Sequence, residues 1–350
     1  MTSFSVKQLF FILMIVTFCG STIALQSMDP YQGKIVAQSG KKESALKMLA
    51  FKQVFVKVSG NKEVNHLPGS QLSLNEINSF IEQFSYQKGA VHTYFIASFD
   101  AQKINKALHD LQQPIWGETR PTTLIWLVKS DQLGRDIVSD SYLQRRADKV
   151  LSESIVQQQF ARGIPLQFPL MDLDDSLAVS VTDISGRFYR VLTSASKRYH
   201  VANFVSAELL QINAQQWELS WQLLTNTTQN QVLLSGMQRG EKSQVIEQML
   251  DAISDYYAHQ YAILEQTGGK FSQIIHINGI DSLTRMTQLH QLLSKMESVA
   301  SYQILNVDQN VVNINVNIKG GLQSFANAFE IQPHLRAVSS ESEPFSFNWQ

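Results

Sequence analysis

The chain of 350 residues holds a single cysteine, Cys19, and no histidine-rich, acidic or basic run. One cysteine excludes an intramolecular disulfide and a multi-cysteine zinc site. It lies in an N-terminal apolar stretch, so if that stretch is removed the rest of the chain has no thiol nucleophile at all. Lys and Arg number 29 against 30 Asp and Glu, for a net charge of −1. Phosphate backbones call for a clustered cationic face, and no stretch supplies one, so no nucleic-acid partner is expected. Beyond the N-terminus no apolar run approaches the ~20 residues of a membrane helix. Several signatures of chemistry are also missing: GxSxG, HExxH, HxH, EF-hand spacing and a complete P-loop, of which "TGGK" at 267–270 is only a fragment. SxxK occurs at Ser39–Lys42, Ser44–Lys47 and Ser194–Lys197, and "KVSG" spans Lys57 to Gly60. The spacing is wrong for a penicillin-recognising site, and a chain rich in Ser and Lys produces such matches by chance.

What is present is apolar material. Hydrophobic residues make up 44% of the chain, with 19 Phe, 10 Tyr and 5 Trp, enough for more than one core. The N-terminus, "MTSFSVKQLFFILMIVTFCGSTIALQS", reads as a secretory signal peptide. Lys7 forms a positive start, Leu9 to Cys19 form a short apolar core, and Thr22-Ile23-Ala24 carries small residues for cleavage after Ala24. Phe18 precedes Cys19 where a lipobox would need a small residue, so lipidation is not expected. A cysteine-free exported product fits the periplasm of a Gram-negative bacterium, with no integral span after cleavage.

The fold expected is α/β (mixed α+β), in three small modules. Residues 1–24 are the signal peptide, 25–113 an N-terminal module, 120–266 a central one, 270–332 a C-terminal one and 333–350 a loose tail. Residues 112–121, "QQPIWGETRP", break the periodicity and read as a linker open to proteolysis, with a second boundary at 266–271. The first module reads β-α-α-β-β-α, with helices at 41–58, 74–84 and 101–111. The central module starts with "TTLIWLVK", a continuous apolar run typical of a buried strand. A helix over 141–162, the strand "IPLQFP", a helical stretch and a three-stranded meander follow, then a helix over 243–265 with Ile246, Leu250, Ile253 and Tyr257 on one face. The last module repeats β-α-β-β-α. Its clearest strand sets Val312, Ile314, Val316 and Ile318 against Asn313, Asn315 and Asn317.

One cluster invites a chemical reading. "PLQFPLMDLDDSLAVS" places Asp172, Asp174 and Asp175 within four positions. Such carboxylates could hold a divalent metal in a hydrolase, but the ligands usually supplied from elsewhere have no recognisable spacing. Following a strand and preceding a helical segment, they are better placed as an N-cap and helix start. No catalytic, cofactor-binding or metal-binding residue is therefore assigned, and no cofactor. These three aspartates are the only metal candidates.

"ALKMLAFKQVFVKVSGNKEV", "FSYQ", "PIWGETRPTTLIWL", "IPLQFPLMDLDD" and "YHVANFVSAEL" together resemble the domain of unknown function 2066 family of exported proteobacterial proteins. That resemblance implies no reaction. In element order the central module also resembles the α/β domains of periplasmic accessory lipoproteins and the amino-terminal domain of the Tol translocation protein, which act by docking. The expected function is a non-enzymatic cell-envelope accessory protein that binds an envelope protein partner. The alternatives are a metal-dependent hydrolase using Asp172, Asp174 and Asp175, or a small-molecule or glycan-binding module using aromatics such as Trp116 or Trp126.

Overall fold

The computed structural model describes residues 28–350 apart from 39, 90–91, 265–270, 333 and 339–344. The expected signal peptide with Cys19 lies outside the described residues, as does the second expected boundary except for Phe271. Among the described residues the fold is mixed α/β, with three sheets and eleven α-helices.

The first module is an antiparallel sheet of β1 (Gln32–Val36), β2 (Ile81–Lys88) and β3 (Thr93–Phe99) in the order β1-β3-β2. Helix α1 (Glu43–Ser59) covers one face, because Leu46, Ala50, Val54, Phe55 and Val58 recur at helical spacing and are all buried. Gly60 ends it with φ 70°, and a Cβ there would stand 2.3 Å from the Cβ of Ala258 in the central module. Only glycine both turns the chain and permits that approach. Helix α2 (Leu74–Phe80) starts in a Ser73–Glu76 capping box, and α3 (Ala101–Asp110) on the Asp100 side chain. The helix expected to run to 84 stops at Phe80. Residues 81–88 pair with β3 instead, which sets Phe84 and Tyr86 beside Phe95, at ring separations of 5.5 and 5.4 Å. Cross-strand aromatic packing overrides the local helical pattern.

The central sheet has the order β5-β4-β7-β8-β9, with β6 also paired to β4. These strands are β4 (Thr123–Asp131), β5 (Gly134–Ile137), β6 (Leu166–Gln167), β7 (Asn203–Gln211), β8 (Trp217–Thr225) and β9 (Val232–Gly240). Strand β4 runs parallel to β7 and is buried on both faces, which its unbroken apolar run requires. One face packs Ile125 and Leu127 against α5 (Lys149–Arg162) and α9 (Lys242–Tyr261). The other packs Leu124, Trp126 and Val128 against α7 (Val181–Ser185) and α8 (Tyr189–Ser196), making three layers. The single helix expected over 141–162 is two, α4 (Asp140–Gln144) and α5. Arg146 breaks it with a left-handed φ of 53°, and Asp148 caps the restart by accepting from the Leu151 amide at 3.1 Å. The hairpin strand β5 was not anticipated.

The last module contains β10 (Phe271–Asn278), α10 (Leu283–Lys295), β11 (Val299–Asp308), β12 (Val311–Ile318), α11 (Leu322–Glu330), β13 (Leu335–Ala337) and β14 (Ser346–Trp349), ordered β11-β12-β10-β14-β13. Val312, Ile314, Val316 and Ile318 enter its core, while Asn313 and Asn317 reach Asn306 and Ser301 across the wet face at 2.6 and 2.7 Å. Of the tail expected to be loose over 333–350, the described residues 335–337 and 346–349 form strands. Strand β14 pairs in parallel with β10, and Phe347 and Trp349 are buried in the core. Their aromatic side chains supply the burial that holds a four-residue strand in place.

Candidate functional site

Helix α6 (Leu173–Ala178) begins at the aspartate cluster. Asp172 is its N-cap, accepting from the Asp175 amide at 3.1 Å. Its two oxygens also take a two-pronged contact from Arg198, at 2.8 and 2.7 Å. That guanidinium, followed by the helix amides, holds the Asp172 carboxyl down to about 2. Asp175 is only 1% exposed. It accepts from Arg198 at 3.0 Å, from the Met171 amide at 2.9 Å, and from the Tyr199 hydroxyl. Burial, and after it this bond to Asp175, raises the Tyr199 phenol well above its ordinary value. Asp174 is exposed. Two of the three carboxylates are thus turned onto a guanidinium, a phenol and backbone amides. Among the described residues no group of three or more His, Cys, Asp or Glu is arranged to hold a metal.

This anchoring has a consequence for the leucines between the aspartates. With Asp175 buried and Asp172 held to Arg198, Leu173 and Leu177 stand exposed on α6, at 73% and 78%, and Leu170 just before them is 53% exposed. The same stretch that looked like a carboxylate site presents an apolar patch.

The two tryptophans considered for glycan stacking are both in the interior. Trp126 is fully buried, donates to Ser196 Oγ at 2.9 Å and meets Tyr199 edge-on. Trp116, 1% exposed, lies beneath the Arg120 guanidinium at 4.1 Å. Neither presents a face to a sugar, because each fills a core that smaller side chains would leave hollow. Residues 112–121 are likewise not an open linker. The Trp116 amide donates to Val58 O at 2.6 Å, and Ile115 exchanges two backbone bonds with Ile263, 2.8 and 2.9 Å long.

Arg120 is the centre of this junction. Its five N–H groups meet five backbone carbonyls, those of Gly117, Arg162, Gly163, Lys57 and Trp116, at 2.7–3.1 Å. A guanidinium is therefore buried with carbonyl dipoles as its partners, and burial pulls its pKa down. Gly163 makes room: a Cβ there would stand 2.8 Å from Arg120 Nη1. Lys57 is buried next to it, donating to Asp29 O at 3.1 Å and to Gln32 O. Burial, with the nearby Arg120 charge adding to it, brings the Lys57 ammonium down to about 7. Arg162 completes the group, bonding Gly60 O at 3.1 Å and ion-pairing with Asp251 and Asp255 of α9. Glu118 reaches Lys295 of the last module at 3.7 Å.

Beside this junction lies a cleft of about 1090 Å³. Met28 and Tyr94 of the first module form one wall, Glu118, Arg120 and Thr122 the back, and α4, α5 and β6 the other wall. Sequence reasoning missed it, since its walls come from separate segments of the chain, Met28 and Tyr94 on one side and residues between 140 and 170 on the other. The only local signal was the motif "GETRP" inside a segment read as linker.

The model of the family described as Domain of unknown function (DUF8605) matches residues 24–117, about a quarter of the chain. The first module is therefore similar to that family, and the resemblance to the domain of unknown function 2066 family is overturned. "ALKMLAFKQVFVKVSGNKEV" and "FSYQ" both lie within the DUF8605 match. Their pattern, an amphipathic helix closed by glycine and followed by a strand, is one that any small α/β module needs, so it does not separate one family from another. No curated protein matches the chain.

Proposed function

We propose that this is a non-enzymatic accessory protein of the bacterial cell envelope, exported to the periplasm, that acts by docking to another envelope protein. The observation that carries this reading is the apolar patch of Leu170, Leu173 and Leu177. Three large aliphatic side chains exposed within eight residues, Leu173 and Leu177 on a helix anchored by Asp172 and the buried Asp175 and Leu170 just before it, form a preorganised apolar surface. Removing such a surface from water favours association, and its rigidity lowers the entropic cost of binding. Export is supported by the residue pattern of 1–24.

A photo-crosslinking amino acid placed at Leu173 or Leu177 in a living Gram-negative host tests it. The expected result is one discrete adduct with an envelope protein, lost when the other of these two leucines is changed to Ser. Equal, diffuse labelling from Leu173 and from a distant exposed site such as Leu133 would rule the patch out as a docking surface. Recovery of the protein with an intact Met1 in the cytoplasm would rule out the envelope assignment.

A further inference from the structure

Six side-chain polar atoms among the described residues are buried without a hydrogen-bond partner, and three of them lie in one place. Arg146 Nη1, Ser152 Oγ and Glu153 Oε1 all belong to residues lining the cleft between the first and central modules. A buried polar atom without a partner lowers stability, so three in one wall point to a partner that the chain itself does not provide. Ser152 is almost wholly buried. Glu153 Oε1 lies 3.6 Å from His92 Nε2, within ion-pair reach of a protonated imidazole but too long for a hydrogen bond. Arg146 sits in the left-handed backbone region at φ 53°, where a non-glycine residue is held at a cost, and this kink turns it into the cleft wall.

We propose that this cleft is a binding site for a short peptide with a free C-terminal carboxylate. The Arg146 guanidinium is a planar fork that matches a carboxylate, and the Ser152 hydroxyl adds a third donor. Gln144, Gln157, Gln159 and Gln167 line the same walls. A primary amide both donates and accepts, as each peptide unit does, so these four match an extended backbone. Leu143, Ile155 and Phe168 provide apolar floor for side chains. The volume of about 1090 Å³ exceeds that of ordinary small-ligand pockets, ~300–1000 Å³, and leaves room for several residues. The three atoms are shielded from water, and rotation about staggered side-chain bonds brings them to a ligand. A neutral sugar would satisfy the amides but leave the guanidinium without an anion. Leu170 lines both the cleft and the leucine patch, whereas Leu173 and Leu177 belong to the patch alone, so substitutions at those two and at Arg146 test the two sites separately.

The test uses the purified mature protein and two probes: a library of pentapeptides with free carboxyl termini, and the same library as C-terminal amides. Affinity selection with mass spectrometry should retain members of the acid library, and the best of these should bind at least tenfold more weakly as its amide. Arg146→Gln should weaken the acid form at least tenfold and erase the difference, without lowering the thermal midpoint, because it removes a buried Nη1 that has no hydrogen-bond partner. Retention of neither library, or of both equally, would overturn the proposal, as would unchanged binding by Arg146→Gln. A lower thermal midpoint in Arg146→Gln would also count against it, by making that side chain a support of the fold. Retention of neutral chito-oligosaccharides in place of peptides would assign the cleft to glycans.

Discussion

Charge is taken out of water in two regions of this protein, by opposite means. At the module junction Lys57 and Arg120 are buried against backbone carbonyls, and of the three cations there only Arg162 meets carboxylates. At the start of α6 the carboxylates of Asp172 and Asp175 meet a guanidinium, a hydroxyl and amides. Carbonyl dipoles answer a cation only partly, so the junction keeps an electrostatic cost that its hydrogen bonds must outweigh. The aspartate cluster has opposite charges in contact and one member near solvent. Adjacent carboxylates in a sequence thus became an anchored helix start, while cations scattered over residues 57–162 became a buried cluster.

The largest expected effect is at Arg120. Arg120→Leu leaves five carbonyls without their donor at the meeting of three modules, and should lower unfolding stability by about 4 kcal/mol. Denaturant titration measures this, and a loss below about 1 kcal/mol would make the junction no more demanding than a surface site. Limited proteolysis of the wild type should spare 112–121, and cutting there should appear in the variant.

Lys57 should set a pH dependence that the aspartates do not share. Its folded pKa of about 7 lies below the ordinary lysine value of 10.5, so between those values the unfolded chain binds more protons. Stability should therefore rise from pH 7 to 10, by on the order of a few kcal/mol. Lys57→Met should flatten this rise. A wild-type profile flat over that range would remove the contrast between the two regions.

Asp175→Ala should cost less than Arg120→Leu, about 2 kcal/mol, because Arg198 is partly exposed and can rehydrate when its partner goes. Its companion readout is the Tyr199 phenol, whose spectrophotometric titration should move back toward ordinary values. Asp172, at the surface, should matter less again. With a folded pKa near 2 it contributes stability above about pH 4, its ordinary unfolded range, and loses it as pH falls toward 2. Asp172→Asn should flatten that acid limb and leave the neutral-pH midpoint almost unchanged. The smallest expected effect is none: Mg²⁺, Ca²⁺ or Mn²⁺ should not raise the thermal midpoint. Metal binding at a hundredfold excess over the dissociation constant would add about 2.7 kcal/mol. A shift of that kind, lost in the triple Asp172, Asp174 and Asp175→Asn variant, would return the cluster to the hydrolase reading.

Where an element depends on residues within a few positions of one another, it was legible. The helices over 41–58 and 101–111, the doubly buried β4 and the alternation of β12 are all local patterns read directly from residue order. Reading failed where a distant partner decided. Phe84 left the helical pattern for pairing with β3, Phe347 and Trp349 drew the tail into a sheet, and "QQPIWGETRP" looked like a linker because nothing nearby packs on it.

By itself the sequence determined the mixed α/β class, the type of most elements and their order, because hydrophobic periodicity and capping act over one or two turns of chain. Only the tertiary structure decided the fate of the charges and the existence of the cleft. Arg120 finds its acceptors at residues 57, 116, 117, 162 and 163, and the cleft needs walls from both the first and central modules. Desolvation depends on everything that surrounds a group in space, and residue order alone does not carry that information.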